Sequence, residues 1–137
     1  MASTTEEQFL IGQPAPGADN RLLSSAAAHG GFEIMFEDDG TTGYVYAIGN
    51  QPGPELLDAL HIYNVADIAD RQVPVTASIV WNEAQDAAAF ILNGYCHALY
   101  DFRQRAGACR TGFPEPRQAQ ALPRELTDEL VDQYFSA

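Results

Sequence analysis

Ala87–Phe102, AAAFILNGYCHALYDF, is the stretch that decides the fold. Two apolar runs flank Asn93-Gly94, a dipeptide that tolerates the positive φ of a two-residue type I′ turn. A reversal there sets Leu92 opposite Tyr95, Ile91 opposite Cys96 and Phe90 opposite His97. Side chains alternate along a strand. One face of the hairpin therefore carries Ala87, Ala89, Ile91, Cys96, Ala98, Tyr100 and Phe102, without a charge. The other carries Phe90, Leu92, Tyr95, His97 and Leu99, with Asp86 and Asp101 near the open end. A hairpin apolar on both faces belongs inside a sheet that other elements cover.

Outward from it, Val75–Glu83 alternates Val75, Ala77, Ile79 and Trp81 with Thr76, Ser78, Val80 and Asn82. That is the period of a strand, and it completes a three-stranded meander. Phe32–Asn50 reads as a second hairpin, turned by Asp38-Asp39-Gly40-Thr41-Thr42. In Glu55–Asp70, Leu56, Leu60 and Tyr63 have helical spacing, but Ile62, Tyr63 and Val65 favour a strand over residues 59–65. Residues 1–31 receive no firm assignment: Gln8–Ile11 suits a short edge strand, Gly12–Asn20 a loop, and the SSAAA of residues 24–28 a helical turn. Arg103–Gln120 reads as a loop that Pro114 and Pro116 keep extended. Residues 122–135 read as an amphipathic helix with Leu122, Leu126, Leu130, Val131 and Tyr134 on one stripe; Pro123 suits its first turn. The expectation is a single α+β domain over residues 1–137: an antiparallel sheet of about five or six strands with the C-terminal helix packed on one face.

Acids outnumber bases 19 to 7, every base is Arg, and the net charge is −12. Residues 1–102 hold 14 acids and 2 bases, whereas residues 103–137 hold five of each. Such a field repels nucleic acid and anionic membrane and speeds encounter with a basic protein. No stretch approaches the ~20 apolar residues of a spanning helix. The start, MASTTEEQFLIG, lacks the basic and apolar regions of a signal peptide. Cys96 and Cys109 are too few for a disulfide framework. Together these point to a cytoplasmic protein with reduced thiols.

Several clusters invite chemistry, and each has a plainer reading. Glu37, Asp38 and Asp39 could offer oxygens to a hard cation, but Asp and Gly also serve turn geometry, and the twelve-residue spacing of a calcium loop is missing. Cys96 and His97 are adjacent, which in a strand sends them to opposite faces and prevents a thiol–imidazole dyad; Cys96 reads as core. Cys96, Cys109, His61 and His97 are zinc-ligand types without zinc-ligand spacing. Asp86 and Asp101 fall opposite each other and could share a proton; the plainer reading pairs Asp101 with Arg103. Arg103, Arg105, Arg110 and Arg117 cluster in one segment, where Arg110 could hold a carboxylate of the chain or of a ligand. No catalytic residue, metal ligand or cofactor is assigned. The candidate binding residues are Glu37, Asp38, Asp39, Asp101, Arg103, Arg105 and Arg110.

Three segments occur in a familiar order: Phe36-Glu37-Asp38-Asp39-Gly40 with Thr42-Gly43-Tyr44-Val45-Tyr46-Ala47; Leu57-Asp58-Ala59-Leu60-His61-Ile62-Tyr63-Asn64-Val65; and Asn93-Gly94-Tyr95 running through Asp101-Phe102 to Cys109-Arg110-Thr111-Gly112-Phe113-Pro114. Over residues 32–114 the chain resembles an uncharacterised family of small bacterial proteins, one of the numbered domains of unknown function. The resemblance implies no activity, so no functional residue is carried over. Val45 stands where an aromatic is expected in that family's first hairpin.

The residues thus specify a small acidic domain and no reaction. The leading expectation is a non-enzymatic binding protein, of the immunity or regulatory type, whose acidic face meets a basic protein. The alternatives are a small-molecule sensor with an anion-binding pocket between the sheet and the Arg103–Arg117 loop, and a hydrolase using Asp86, Asp101 or Cys96.

Overall fold

The structure is a computed structural model that describes residues 3–135; positions 1–2 and 136–137 of the expected domain lie outside the described residues. The strands are β1 Ser3–Phe9, β2 Arg21–Ala26, β3 Phe32–Asp38, β4 Thr42–Gly49, β5 Glu55–Asn64, β6 Val75–Trp81, β7 Ala87–Leu92, β8 Tyr95–Asp101 and β9 Ala106–Cys109; the helix is α1, Asp128–Phe135. The α+β reading holds, with antiparallel strands and a helix at the C-terminal end. The strands form two sheets rather than one sheet of five or six, in the orders β1-β6-β7-β8-β9 and β2-β3-β4-β5.

The two sheets meet face to face. Phe36 of β3 stacks on Phe90 of β7 with ring centroids 4.6 Å apart, and Phe32 on Phe102 at 4.3 Å. Ile34, Val45, Ala47 and Leu60 from one sheet and Ala77, Ile79, Trp81 and Tyr100 from the other complete the core. The fully buried Trp81 donates its indole N–H to Ser25 Oγ at 3.0 Å, so its polar atom is satisfied across the sheets. The other face of the β7–β8–β9 region is apolar too: Ala89, Cys96, Leu99 and Ala108 pack under Leu126 and Leu130. Sheet, sheet and helix therefore make three layers, which accounts for a central hairpin without a polar face.

The reversal at Asn93-Gly94 has positive φ at both residues, 50° and 81°, and pairs Leu92 with Tyr95 and Ile91 with Cys96. Beyond it, Phe90 pairs with Ala98 instead of His97, through a bulge. One extra residue inverts the parity of everything that follows. Ala98, Tyr100 and Phe102 thereby enter the core between the sheets, while Cys96 faces the helix layer. The same shift pairs Asp101 with Ala87 and not with Asp86.

Four expectations about the segments around this hairpin are corrected. Arg103–Gln120 is not loop throughout, because Ala106–Cys109 pairs with β8 as β9. The SSAAA stretch starts within β2, which pairs with β3 from Arg21↔Asp38 to Ala26↔Glu33; sheet pairing outweighs the modest helical preference of Ser and Ala. The edge strand begins at Ser3, not Gln8, because β1 runs along the whole of β6. The helix begins at Asp128, not Leu122. Residues 124–126 run extended beside β9, where Cys109 N–H donates to the Arg124 carbonyl and Leu126 N–H to the Cys109 carbonyl, so they cover a strand edge that would otherwise leave backbone groups unpaired. Thr127 Oγ1 then caps α1 by accepting from Leu130 N–H at 3.2 Å, and Asp128 and Glu129 complement the positive end of the helix. β5 is a strand, as Ile62 and Tyr63 favour; it starts at Glu55, ahead of residue 59, and ends at Asn64, with Val65 opening a 3-10 turn. No helix among the described residues is long and apolar enough to cross a membrane.

Candidate functional site

Charged side chains identified from sequence divide into those that the fold pairs or hydrogen-bonds and those that stay exposed without an ion pair among the described residues. Asp38 is 1% exposed and accepts from Gly12 N–H at 2.7 Å, Gly40 N–H at 2.8 Å and the Tyr63 hydroxyl at 2.6 Å. Burial, followed by the bond to Asp38, raises the Tyr63 pKa well above the usual phenol range. Asp39 accepts from Thr42 and Thr41 N–H groups, which hold its pKa low. Glu37 accepts from Asn20 Nδ2 and the Tyr46 hydroxyl. The acidic turn is accordingly a hydrogen-bonded knot that ties the 12–20 loop and β5 to the β3–β4 hairpin.

Asp101 pairs with neither Asp86 nor Arg103. It accepts from the Tyr134 hydroxyl at 2.6 Å and from the Gln104 backbone and side-chain N–H groups. Burial alone would raise its pKa, but these bonds outweigh burial and lower it. Asp86 is bonded to Asn82. Arg110 lies over the Tyr95 ring at 4.3 Å and joins β8 to the start of α1, donating to the Cys96 carbonyl at 2.9 Å and to Asp128 Oδ1 at 2.8 Å. Burial pushes the Cys96 thiol up to about 11; its Sγ contacts the Ala98 carbonyl, and no hydrogen bond to His97 occurs among the described residues. Cys96 and Cys109 lie in different layers. No three His, Cys, Asp or Glu side chains among the described residues gather in a way that could hold a metal ion.

Arg105 is different. It sits in the β8–β9 turn at a φ of 51° and borders two adjoining cavities at the edge where β5 passes β9, of about 250 and 380 Å³. The smaller is lined by Tyr100, Asp58 and, from the segment after β9, Arg117, Gln118 and Gln120. The larger is lined by His29, Phe32, Phe102 and the glycine backbone at Gly31 and Gly49. Glu55 and Leu57 are common to both, so the cavities form one groove. Arg103, two residues from Arg105, lines neither cavity.

The far wall of the groove has no regular structure and is held by Arg124. Its guanidinium makes five hydrogen bonds: two to Asp58 at 2.7 and 2.8 Å, and one each to the carbonyls of Pro114, Gly107 and Ala59. Both side chains of the pair are nearly buried, 10% and 8% exposed. Gln120 binds Gly107 from both ends of its amide. A Cβ on Gly107 would stand 2.7 Å from a Tyr100 ring carbon and 3.3 Å from Asp58 Oδ2, so the absence of a side chain there lets Tyr100 and the ion pair close together. Burial, then the Asp58 charge, raises Tyr100 to about 12, so its phenol stays neutral in the groove.

Asp58 and Arg124 were not singled out from sequence. Asp58 had a signal: it shares strand parity with the inward Leu60 and Ile62, and a carboxylate on an inward face requires a partner. Arg124 had none, because its partner is 66 residues away.

The molecule is thus a two-sheet α+β sandwich with a helix on one outer face and a groove of mixed charge at one edge. The chain belongs to the family described as an uncharacterized protein conserved in bacteria (DUF2251), matched over residues 11–135. It is similar to an uncharacterized protein of Haemophilus influenzae (strain ATCC 51907 / DSM 11121 / KW20 / Rd), 32% identical over 134 residues that cover 96% of this chain and 80% of that protein. No solved structure matches.

Proposed function

We propose that the chain is a binding domain that takes a small molecule bearing a carboxylate or similar anion in the groove between β5, the β8–β9 turn and residues 116–120. One observation carries this reading. Acids outnumber bases 19 to 7, yet Arg105 and Arg117 line one cavity and take part in none of the three ion pairs among the described residues. Guanidinium groups offer forked donors that match a carboxylate, and a nearby backbone bond, Arg117 to the Leu56 carbonyl at 3.3 Å, orients one of them. Two buried free cysteines agree with a cytoplasmic location. Thermal-shift titration with small carboxylates and inorganic phosphate tests the reading. A ligand at a hundred times its Kd adds about 2.7 kcal/mol, and Arg105→Ala with Arg117→Ala should abolish the shift. Absence of stabilisation by every anion rejects it.

A second reading, docking of a basic protein, is favoured by α1. Asp128, Glu129 and Asp132 are exposed on it, and its last turn has no base. Pull-down at low ionic strength should recover a basic partner whose affinity falls steeply with salt; a salt-indifferent partner, or none, rejects this.

A further inference from the structure

We infer that the ligand of this groove is a zwitterion, an α-amino acid with an apolar side chain, whose carboxylate meets Arg105 and Arg117 and whose ammonium meets Glu55. The inference rests on the anion reading above and specifies its chemistry. Glu55 lines both cavities beside Arg105, is exposed, and forms no ion pair among the described residues. Opposite charges share one groove without neutralising each other, so a ligand that carries both charges meets a partner for each. Asp58, the other carboxylate at the groove, is already matched by Arg124, so Glu55 is the acid left for a cation.

The field of the whole molecule points the same way. A ligand with dense negative charge must approach a chain of net charge −12, and that repulsion is felt over a Debye length. A zwitterion is neutral at long range and meets matched charges only at contact. Beyond Glu55, the larger cavity sets Leu57, Phe32 and Phe102 beside His29 and Gln51, so a side chain of leucine or phenylalanine size finds apolar contacts on one side of it.

The test is an NMR titration of the ¹⁵N-labelled full chain with the twenty common amino acids, and with two matched sets: L-phenylalanine, 3-phenylpropionate and phenethylamine; L-leucine and 4-methylpentanoate. An apolar amino acid should shift the amides of residues 55–58 and 105 and bind about tenfold more tightly than its des-amino analogue, as expected for one charge-assisted bond. Glu55→Gln should erase that preference without weakening the carboxylate analogue, whose affinity should hold or rise as a neighbouring negative charge is lost; Arg105→Ala should weaken both. If the analogues bind as tightly as the amino acids, or other anions bind and no amino acid does, the zwitterion assignment is overturned and the anion reading stands. If nothing binds, both fall. Glu55 is exposed, and the spectrum of the variant reports directly that it folds.

Discussion

Replacing Arg124 by alanine should destabilise the protein by about 3–5 kcal/mol, the usual consequence of stranding one member of a buried ion pair. The structure supports the upper part of that range. The substitution removes five hydrogen bonds at once and leaves Asp58, 5% exposed in the intact protein, with one remaining donor, the Ala59 N–H. For a chain of 137 residues this corresponds to about 10–15 °C in Tm, a large share of the ~5–15 kcal/mol available to a folded domain. Urea denaturation of the wild type, Arg124→Ala, Asp58→Ala and the double variant closes a cycle. The double variant should be less destabilised than the sum of the singles by about 2 kcal/mol, because removing both partners leaves no lone charge. Arg124→Lys keeps the charge but not the two-pronged geometry, and should cost about 2 kcal/mol. A loss below about 1 kcal/mol for Arg124→Ala, or additive singles, refutes the claim that this pair holds the groove wall.

The Cys96 thiol, pushed up to about 11 by burial, should react with iodoacetamide at pH 8 roughly two orders of magnitude more slowly than a free cysteine; a rate like that of the unfolded chain contradicts the packing of α1 over it. Asp101 has a lowered pKa in the fold, so it contributes stability above the usual carboxylate range that is lost as pH falls through the folded value. Tyr134→Phe, which removes the 2.6 Å bond to it, should accordingly cost about 1–2 kcal/mol at pH 7 and less at pH 3. An equal loss at both pH values in chemical denaturation would rule out this linkage.

The parts of the fold visible in the sequence are those governed by neighbours along the chain. Asn93-Gly94 declares its turn because few other dipeptides accept positive φ twice. β3, β4 and β6 declare themselves by alternation. β1, STTEEQF, hides because it is an edge strand with Phe9 as its buried apolar anchor. β9, AGAC, is short and carries no β-branched residue, although all four residues are buried. The bulge at His97 depends on what β7 presents across the ladder, and a strand's own residues do not show it. Leu122 and Leu126 are four apart, a spacing that suits one helical turn and two strand repeats alike, so the apolar stripe alone does not mark where the helix begins. The groove was legible only as a cluster of arginines. Which of them stay unpaired depends on where Asp128 arrives in space to take Arg110.

A buried ion pair is a weak source of net stability compared with apolar residues of the same size, so its place at Asp58–Arg124 needs another reason. The segment from Thr111 to Thr127 carries no strand or helix and meets β9 through one parallel bridge, Cys109↔Glu125. Apolar contact is non-directional and would let such a segment slide by a residue. A forked bond to one carboxylate, with carbonyls of Pro114, Gly107 and Ala59 completing the set, admits one register. Arg124, which does not line the groove, and Gln120, bonded to Gly107 at both ends of its amide, then fix where Arg117 and Gln118 lie along it. Substitutions at 115–119 can therefore change what the groove accepts without disturbing the sandwich, whereas a substitution at 124 disturbs both.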